Sequence, residues 1–385
     1  YESSRGCPFS CSYCLSSIDK CLRFREIELV KKELQFFIDK KVPQVKFVDR
    51  TFNCRHDHAM AIWTYIHEHD NGITNFHFEV SADLLNEKEI ALINRMRPGL
   101  IQLEIGVQSA NEITIREINR TMKIDVLSTI VDKIKKGNNV HQHLDLIAGL
   151  PYEGYESFGK SFDRVYKMNP EQLQLGFLKV LKGSVMHDRA QEYGIVYQDR
   201  APYEVLSTKW LTYAEVIRLK QIEEMVEVYY NSGQFCCTMA ALEQEFASPF
   251  CMYECLAAYY DEKNAFAVSH SRIGRYEILY DFIVKTCKER SEQYMEMLTL
   301  DMYLRDNVKK RPEFLRESGV SSDEAAAFYK KEEKERTYLK AYEGYDRRQM
   351  RKMTHLERID GKTVLFDYKN RDPLTGNAAI YYLSE

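Results

Sequence analysis

No stretch of the chain approaches the ~20 consecutive apolar residues that a membrane-spanning helix requires, and its start does not read as a signal peptide. One-sided charge is missing too. Lys and Arg number 54 against 58 Asp and Glu, giving a net charge of −4 and a pI near 6.3, so no basic field marks the chain for nucleic acid. The ten cysteines are not spread as the framework of a small disulfide-stapled domain; they cluster at ligand-like spacings in a 385-residue chain, which points to a reducing cytoplasm. A start at Tyr1, without an initiator methionine and just ahead of the first cysteine, reads as part of something longer. The length predicts a catalytic domain of about 200 residues and a second unit of similar size.

What is there begins with Cys7-Pro-Phe-Ser-Cys11-Ser-Tyr-Cys14, three thiols at a C-x3-C-x2-C spacing. Thiolates select zinc, copper(I) or iron–sulfur clusters. Three within so short a segment can wrap one inorganic centre without help from the rest of the fold. A structural zinc site closes with four ligands, and ordinary ferredoxin clusters also use four cysteines. Three cysteines on a [4Fe–4S] cluster would leave one iron open to bind something else. The competing readings are a zinc knuckle with Cys21 as fourth ligand, or thiols simply buried as small apolar groups.

Through about residue 181, short β-rich runs alternate with amphipathic helical stretches, the pattern of parallel strands joined by right-handed crossovers. Strands are predicted at 1–6, 44–49, 76–81, 101–107, 140–147 and 172–180, with helices at 26–40, 57–70, 86–97, 124–136 and 155–168. The fold class is therefore α/β, a partial (β/α)6 TIM-like barrel over residues 1–200, with its active face at the strand C-termini. Its strands are not the continuous hydrophobic runs of a sheet covered on both faces. His77, Glu79 and Ser81 share one face of the third strand, Gln102, Glu104, Gly106 and Gln108 one face of the fourth, His141, His143 and Asp145 one face of the fifth, and Gln172 and Gln174 one face of the sixth. With helices outside, these faces line a polar lumen whose groups need partners, either one another or a bound polar ligand.

The segment Arg5-Gly-Cys7-Pro-Phe-Ser-Cys11-Ser-Tyr13-Cys14, with an aromatic residue immediately before the third cysteine, resembles the cluster loop of the radical SAM superfamily. The resemblance implies a [4Fe–4S] cluster on Cys7, Cys11 and Cys14 whose open iron chelates S-adenosylmethionine, and reductive cleavage to methionine and a 5′-deoxyadenosyl radical. It also implies an anaerobic enzyme served by a reductant such as flavodoxin or ferredoxin, acting on a small-molecule or unidentified substrate, with no membrane partner. Tyr13 counts among the cofactor-binding positions. Asp49-Arg-Thr-Phe-Asn53 falls where the family places a loop whose backbone takes the ligand's amino group, although it departs from the glycine-glycine-glutamate form, so only the position carries over. Glu79 falls where related barrels use a carboxylate near the ligand. Gly106-Val-Gln108-Ser109 followed by Arg120 is similar to the segment in which the glutamine contacts the ligand and the arginine pairs with its carboxylate, a task suited to a planar fork. Asp145-Leu-Ile-Ala-Gly149-Leu-Pro151 resembles the segment that carries an aspartate near the ribose and a turn beside the adenine. His141, His143 and Asp145 could together bind a divalent metal; the favoured reading is a substrate-facing or acid–base role for His143.

Residues 201–385 read as a mainly helical C-terminal domain, with helices at 213–230, 240–246, 276–288 and within 323–353, ending in a β-hairpin at 363–368 and 378–383. This half resembles a domain of unknown function that accompanies radical SAM proteins of the cobalamin-associated type. The D-x-H-x-x-G segment that ligates cobalt in such proteins is nowhere in the chain, so cobalamin is implied only by company kept. Cys236, Cys237, Cys251, Cys255 and Cys287 lie in this half, but adjacent Cys236 and Cys237 are poor geometry for joint ligation in an auxiliary cluster. The expected function is thus radical SAM chemistry, or methyl transfer if cobalamin takes part. The alternatives are a zinc-dependent interaction module and a sulfur-inserting enzyme acting on RNA.

Overall fold

The computed structural model describes residues 1–308 and 310–383. It divides into two compact units, one of residues 1–227 with 248–254 and one of residues 228–247 with 255–385. In the first unit the chain runs through β1 (Ser4–Arg5), β2 (Arg23–Phe24), α1 (Ile27–Asp39), β3 (Gln44–Lys46), α2 (His56–Glu68), β4 (Asn75–Val80), α3 (Glu87–Ile93), β5 (Ile101–Gln108), α4 (Glu112–Glu117), α5 (Ile124–Lys135), β6 (His141–Ala148), α6 (Tyr155–Tyr166) and β7 (Gln172–Phe177). Strands β3 to β7 form one parallel sheet in sequence order, curled into half a barrel, as the alternation predicts.

The helices follow from one-sided burial and from their first turns. In α1, Val30, Leu34 and Ile38 recur every fourth residue on the buried side, while the Glu26 carboxylate accepts from the Glu28 and Leu29 backbone amides. A reciprocal Asn86–Glu89 capping box starts α3. Between the sheet and α2 the apolar faces close on Phe47, Phe52, Trp63 and Phe78, all fully buried, with ring centroids 4.5 Å apart for Phe47–Phe78 and 4.3 Å for Phe52–Phe78.

The segment expected as a first parallel strand behaves differently. Tyr1 runs beside β3, donating its amino group to Lys46 O at 2.8 Å and accepting from Val48 N at 2.8 Å. It then turns away, and β1 pairs antiparallel with β2 instead. The cause lies in side chains. Ser3 and Ser4 both turn to the fully buried Asp49 carboxylate, which accepts from Ser3 N at 3.0 Å, Ser3 Oγ at 2.7 Å and Ser4 Oγ at 2.5 Å. The regular parallel sheet therefore has five strands and not six.

The first unit continues with α7 (Val185–Asp188), a small antiparallel pair β8 (Val196–Tyr197) and β9 (Val205–Ser207), α8 (Tyr213–Val226) and the beginning of α10. The second unit is mainly helical, with α9 (Cys236–Leu242), the end of α10 (Pro249–Glu262), α11 (Arg272–Thr286), α12 (Ser291–Arg305), α13 (Ser322–Glu335) and α14 (Arg347–Met353). A three-stranded antiparallel sheet follows, β10 (Thr354–Ile359), β11 (Lys362–Arg371) and β12 (Ala378–Tyr382), in that order. The predicted hairpin is β11 with β12; β10 is an addition to it. Tyr329, Leu339, Tyr342, Met350, Leu356 and Leu365 form a buried cluster that joins α13 and α14 to the sheet. Helix α12 escapes sequence reading because its buried residues, Tyr294, Leu298, Thr299, Asp301, Met302, Tyr303 and Leu304, leave no one-sided stripe. Among the described residues no helix is long and apolar enough to cross a membrane.

Phe78 lies in van der Waals reach of three aromatic rings, so Phe78→Ala is expected to remove about 3–5 kcal/mol of stability. Urea unfolding followed by circular dichroism measures this as a drop in midpoint without a change in slope.

Candidate active site

The parallel register stacks the polar faces into rows. Glu79 pairs with Glu104, Glu104 with His143 and His143 with Gln172, so these four lie level across the sheet. One row toward the strand C-termini, Gly106 is level with Asp145 and Asp145 with Gln174. The polar side of β5 is half-buried at every other residue, opposite the fully buried Ile101, Leu103, Ile105 and Val107.

Above these rows lies an open cavity of about 190 Å³. Cys7, Cys11, Tyr13 and Cys14 form one wall, and Glu79, Glu104, Gly106, Gln108, Arg120 and Asp145 line the rest with Arg50, Thr51 and Ser81. The cysteine loop is held by the backbone. Cys7 N donates to Asp19 O at 3.1 Å, Ser12 N to Ile118 O at 3.0 Å, and Met186 N to Ser12 O at 2.8 Å. Gly6 enters the loop at φ +95°, where a Cβ would press on Cys21 O, so no other residue fits without rearrangement.

Arg120, half-buried, is the centre of the site. Its guanidinium donates to Gly106 O and to Tyr13 Oη, the latter at 3.4 Å, and Nη1 lies 4.0 Å from Cys11 Sγ. Burial pushes the Cys11 thiol up, with Arg120 pulling in the other direction. Beside it, Gln108 ends β5 in the left-handed region at φ +70°, where the pairing with β6 shifts register. That turn lays the glutamine amide over Gly106, and a Cβ on Gly106 would collide with Gln108 Nε2.

Four buried polar atoms here have no hydrogen-bond partner among the described residues: Gln108 Oε1, Arg120 Nε, Asp145 Oδ1 and His143 Nε2. The last two lie 3.0 Å apart, but the ring N–H is not aimed along that line. Burial opposes charge on His143, yet Asp145 and Glu104 outweigh it and raise the imidazole pKa; for Asp145 burial prevails, and its pKa rises too. Glu104 is held down to about 2 by His77, 3.0 Å away, and by Lys46 at 3.1 Å. Burial, with Glu104 nearby, moves Glu79 the opposite way.

The cavity thus gathers Cys7, Cys11, Cys14, Tyr13, Glu79, Gln108, Arg120 and Asp145. His143 sits beside Asp145, outside the lining. Asp49, Ser109 and Gly149 also stand back from it. Asp49 is occupied by Ser3 and Ser4, and Ser109 donates to the buried Glu153 at 2.7 Å. Gly149, at φ +89°, lets the turn pack on Val205. Ser81 and Glu104 belong to the predicted polar faces, and Arg50 and Thr51 to the predicted 49–53 loop, but the sequence singles out none of the four as a ligand contact; the cavity lining adds them.

A curled parallel sheet with three cysteines at its mouth and a polar cavity at its strand C-termini places a candidate site where barrels of this kind carry theirs. Residues 1–165 match the family described as Radical SAM superfamily, and residues 191–373 match one described as Protein of unknown function (DUF4080). The first part of the chain is a radical SAM domain.

Among curated proteins, the oxygen-independent coproporphyrinogen III oxidase of Salmonella typhimurium is 29% identical over 107 residues, 26% of this chain and 23% of that protein. The bacteriochlorophyllide d C-12(1)-methyltransferase of Chlorobaculum tepidum is 26% identical over 171 residues, 43% of this chain and 35% of that protein. The chain thus matches about a quarter to a third of the length of these relatives. Among solved structures, the cobalamin-dependent S-adenosylmethionine radical enzyme OxsB with aqua-cobalamin bound is 12% identical at a TM-score of 0.47, covering 78% of this chain and 53% of that one.

Glu153, at the end of the turn after β6, is pushed up to about 7 by burial, while donation from Ser109 and Ser161 works against that rise. A carboxyl whose folded pKa exceeds its unfolded one adds stability that is complete below about 4.5 and is lost as pH rises through about 7. Glu153→Gln is expected to remove that slope, worth on the order of 3 kcal/mol. Denaturation midpoints at pH 5 and pH 8 measure it: the wild type loses more across the interval than the variant.

Proposed function

We propose that the first unit binds a [4Fe–4S] cluster through Cys7, Cys11 and Cys14 and S-adenosylmethionine in the cavity beside it, and cleaves the sulfonium reductively to act on a substrate in the polar lumen. The observation that carries this reading is the convergence of three thiols and four unpartnered buried polar atoms on one region of the sheet. The donor set fits the groups. Three thiols leave one iron of a [4Fe–4S] cluster without a protein ligand, whereas a structural zinc site closes with four.

When bound, the cluster would supply the electron that splits the carbon–sulfur bond, drawn from a donor such as flavodoxin or ferredoxin. The protein's residues do the rest. Arg120 Nε and the Gln108 amide offer a donor and an acceptor to the amino acid end of the ligand, and Asp145 Oδ1 offers an acceptor for a ribose hydroxyl. Glu104, kept ionised, and Glu79, its pKa raised by burial, set charge on the substrate side of the sheet. His143, its pKa raised beside Asp145, is placed to give or take a proton at Nε2.

Anaerobic reconstitution with iron and sulfide, reduction, and chromatographic assay for 5′-deoxyadenosine tests the reading. S-adenosylhomocysteine among the products would align the chain with the methyltransferase relative. Changing Cys7, Cys11 and Cys14 together to alanine is expected to abolish both iron and product; iron retained by that variant would favour a second cluster and the sulfur-inserting alternative. Gly106→Ala, which displaces the Gln108 amide, is expected to weaken S-adenosylmethionine binding about tenfold or more in equilibrium dialysis, with the iron content unchanged.

A further inference from the structure

The second unit holds a ligand set that the radical chemistry does not use. Cys236 and Cys237 open α9, and Asp301, 1% exposed, reaches them from α12. Cys236 Sγ lies 4.0 Å from Cys237 Sγ and 3.4 Å from Asp301 Oδ1. One ligand atom from each of the three falls within 4.8 Å of the other two, and no other trio of His, Cys, Asp or Glu among the described residues does so.

These distances match one ion. Tetrahedral zinc, with bonds of about 2.3 Å to sulfur and about 2.1 Å to oxygen, sets its sulfurs about 3.8 Å apart and sulfur from oxygen about 3.6 Å. The Cys236 distances are within a few tenths of an ångström of that geometry. The adjacency of the two cysteines, unfavourable for holding a multi-iron cluster, is no obstacle to a single ion.

Asp301 is fixed in advance. It accepts from Cys237 N at 2.9 Å and Thr238 N at 2.8 Å, which locks the carboxylate and still leaves lone pairs free, since two oxygens offer about four acceptor sites. Cys236 is exposed, so solvent reaches the site from its side.

We propose that Cys236, Cys237 and Asp301 bind one thiophilic divalent ion of the zinc class, its fourth position open to water. Two thiolates and a carboxylate suit zinc better than magnesium or calcium, which take oxygen ligands. On binding, both S–H bonds break, two protons pass to solvent, two sulfur–metal bonds form, and no electron is transferred. The ion replaces the Cys236 thiol proton as the link to Asp301.

The test uses the full chain, reconstituted with iron and sulfide, then offered zinc chloride and desalted, with both metals counted. The wild type is expected to hold about one zinc per chain more than Cys236→Ser/Cys237→Ser at equal iron, and Asp301→Asn to weaken zinc binding about tenfold or more. Equal zinc in wild type and double variant overturns the proposal. A second measurement needs no variant: zinc should shield Cys236 and Cys237 from iodoacetamide, read by peptide mass, and labelling that zinc does not change overturns it equally.

Discussion

A single buried carboxylate joins the cysteine loop to the sheet. Asp49 stands just past β3 with no exposed surface, and its only described partners are the Ser3 amide and the Ser3 and Ser4 hydroxyls. A buried carboxylate needs those donors, because a buried polar group left without hydrogen bonds costs about 1–3 kcal/mol. The chain leading to Cys7 is therefore set in one place relative to the strand ends. Gly6 then bends it into the cavity, and backbone bonds from Cys7 and Ser12 hold the loop there.

From that anchor the rest of the site is a matter of register. A parallel sheet with period-two strands carries its polar residues in level rows, and a slip of one residue in β5 would turn Glu104 and Gln108 into the apolar layer. Burial then separates the acids. Glu104 has His77 and Lys46 beside it and stays ionised, whereas for Asp145 and Glu79 burial outweighs the cations nearby, His143 among them, and their pKa values rise.

The second unit uses a carboxylate for another kind of fixing. Asp301 lies in a helix without a one-sided stripe and meets the first turn of α9 across 64 residues of sequence from Cys237. No periodicity links those positions, and the pair of adjacent cysteines alone argues against shared ligation. Only the packing of α12 beside α9 brings the oxygen to the sulfurs.

Much of the first unit is written locally. The alternation in β4, β5 and β6, the one-sided apolar positions of α1 and the spacing of Cys7, Cys11 and Cys14 depend on neighbours within a few residues, so the sequence alone determined the parallel α/β arc, its polar face and the three-thiol loop. The side-chain destinations were decided elsewhere. The Asp49 and Ser109 side chains turn to Ser3, Ser4 and Glu153; the first strand peels away from the sheet; and Asp301 joins two cysteines. Each of these depends on which distant group lies within about 3 Å of a polar atom once the backbone is packed. That is a property of three-dimensional proximity, and periodicity along a chain does not encode it.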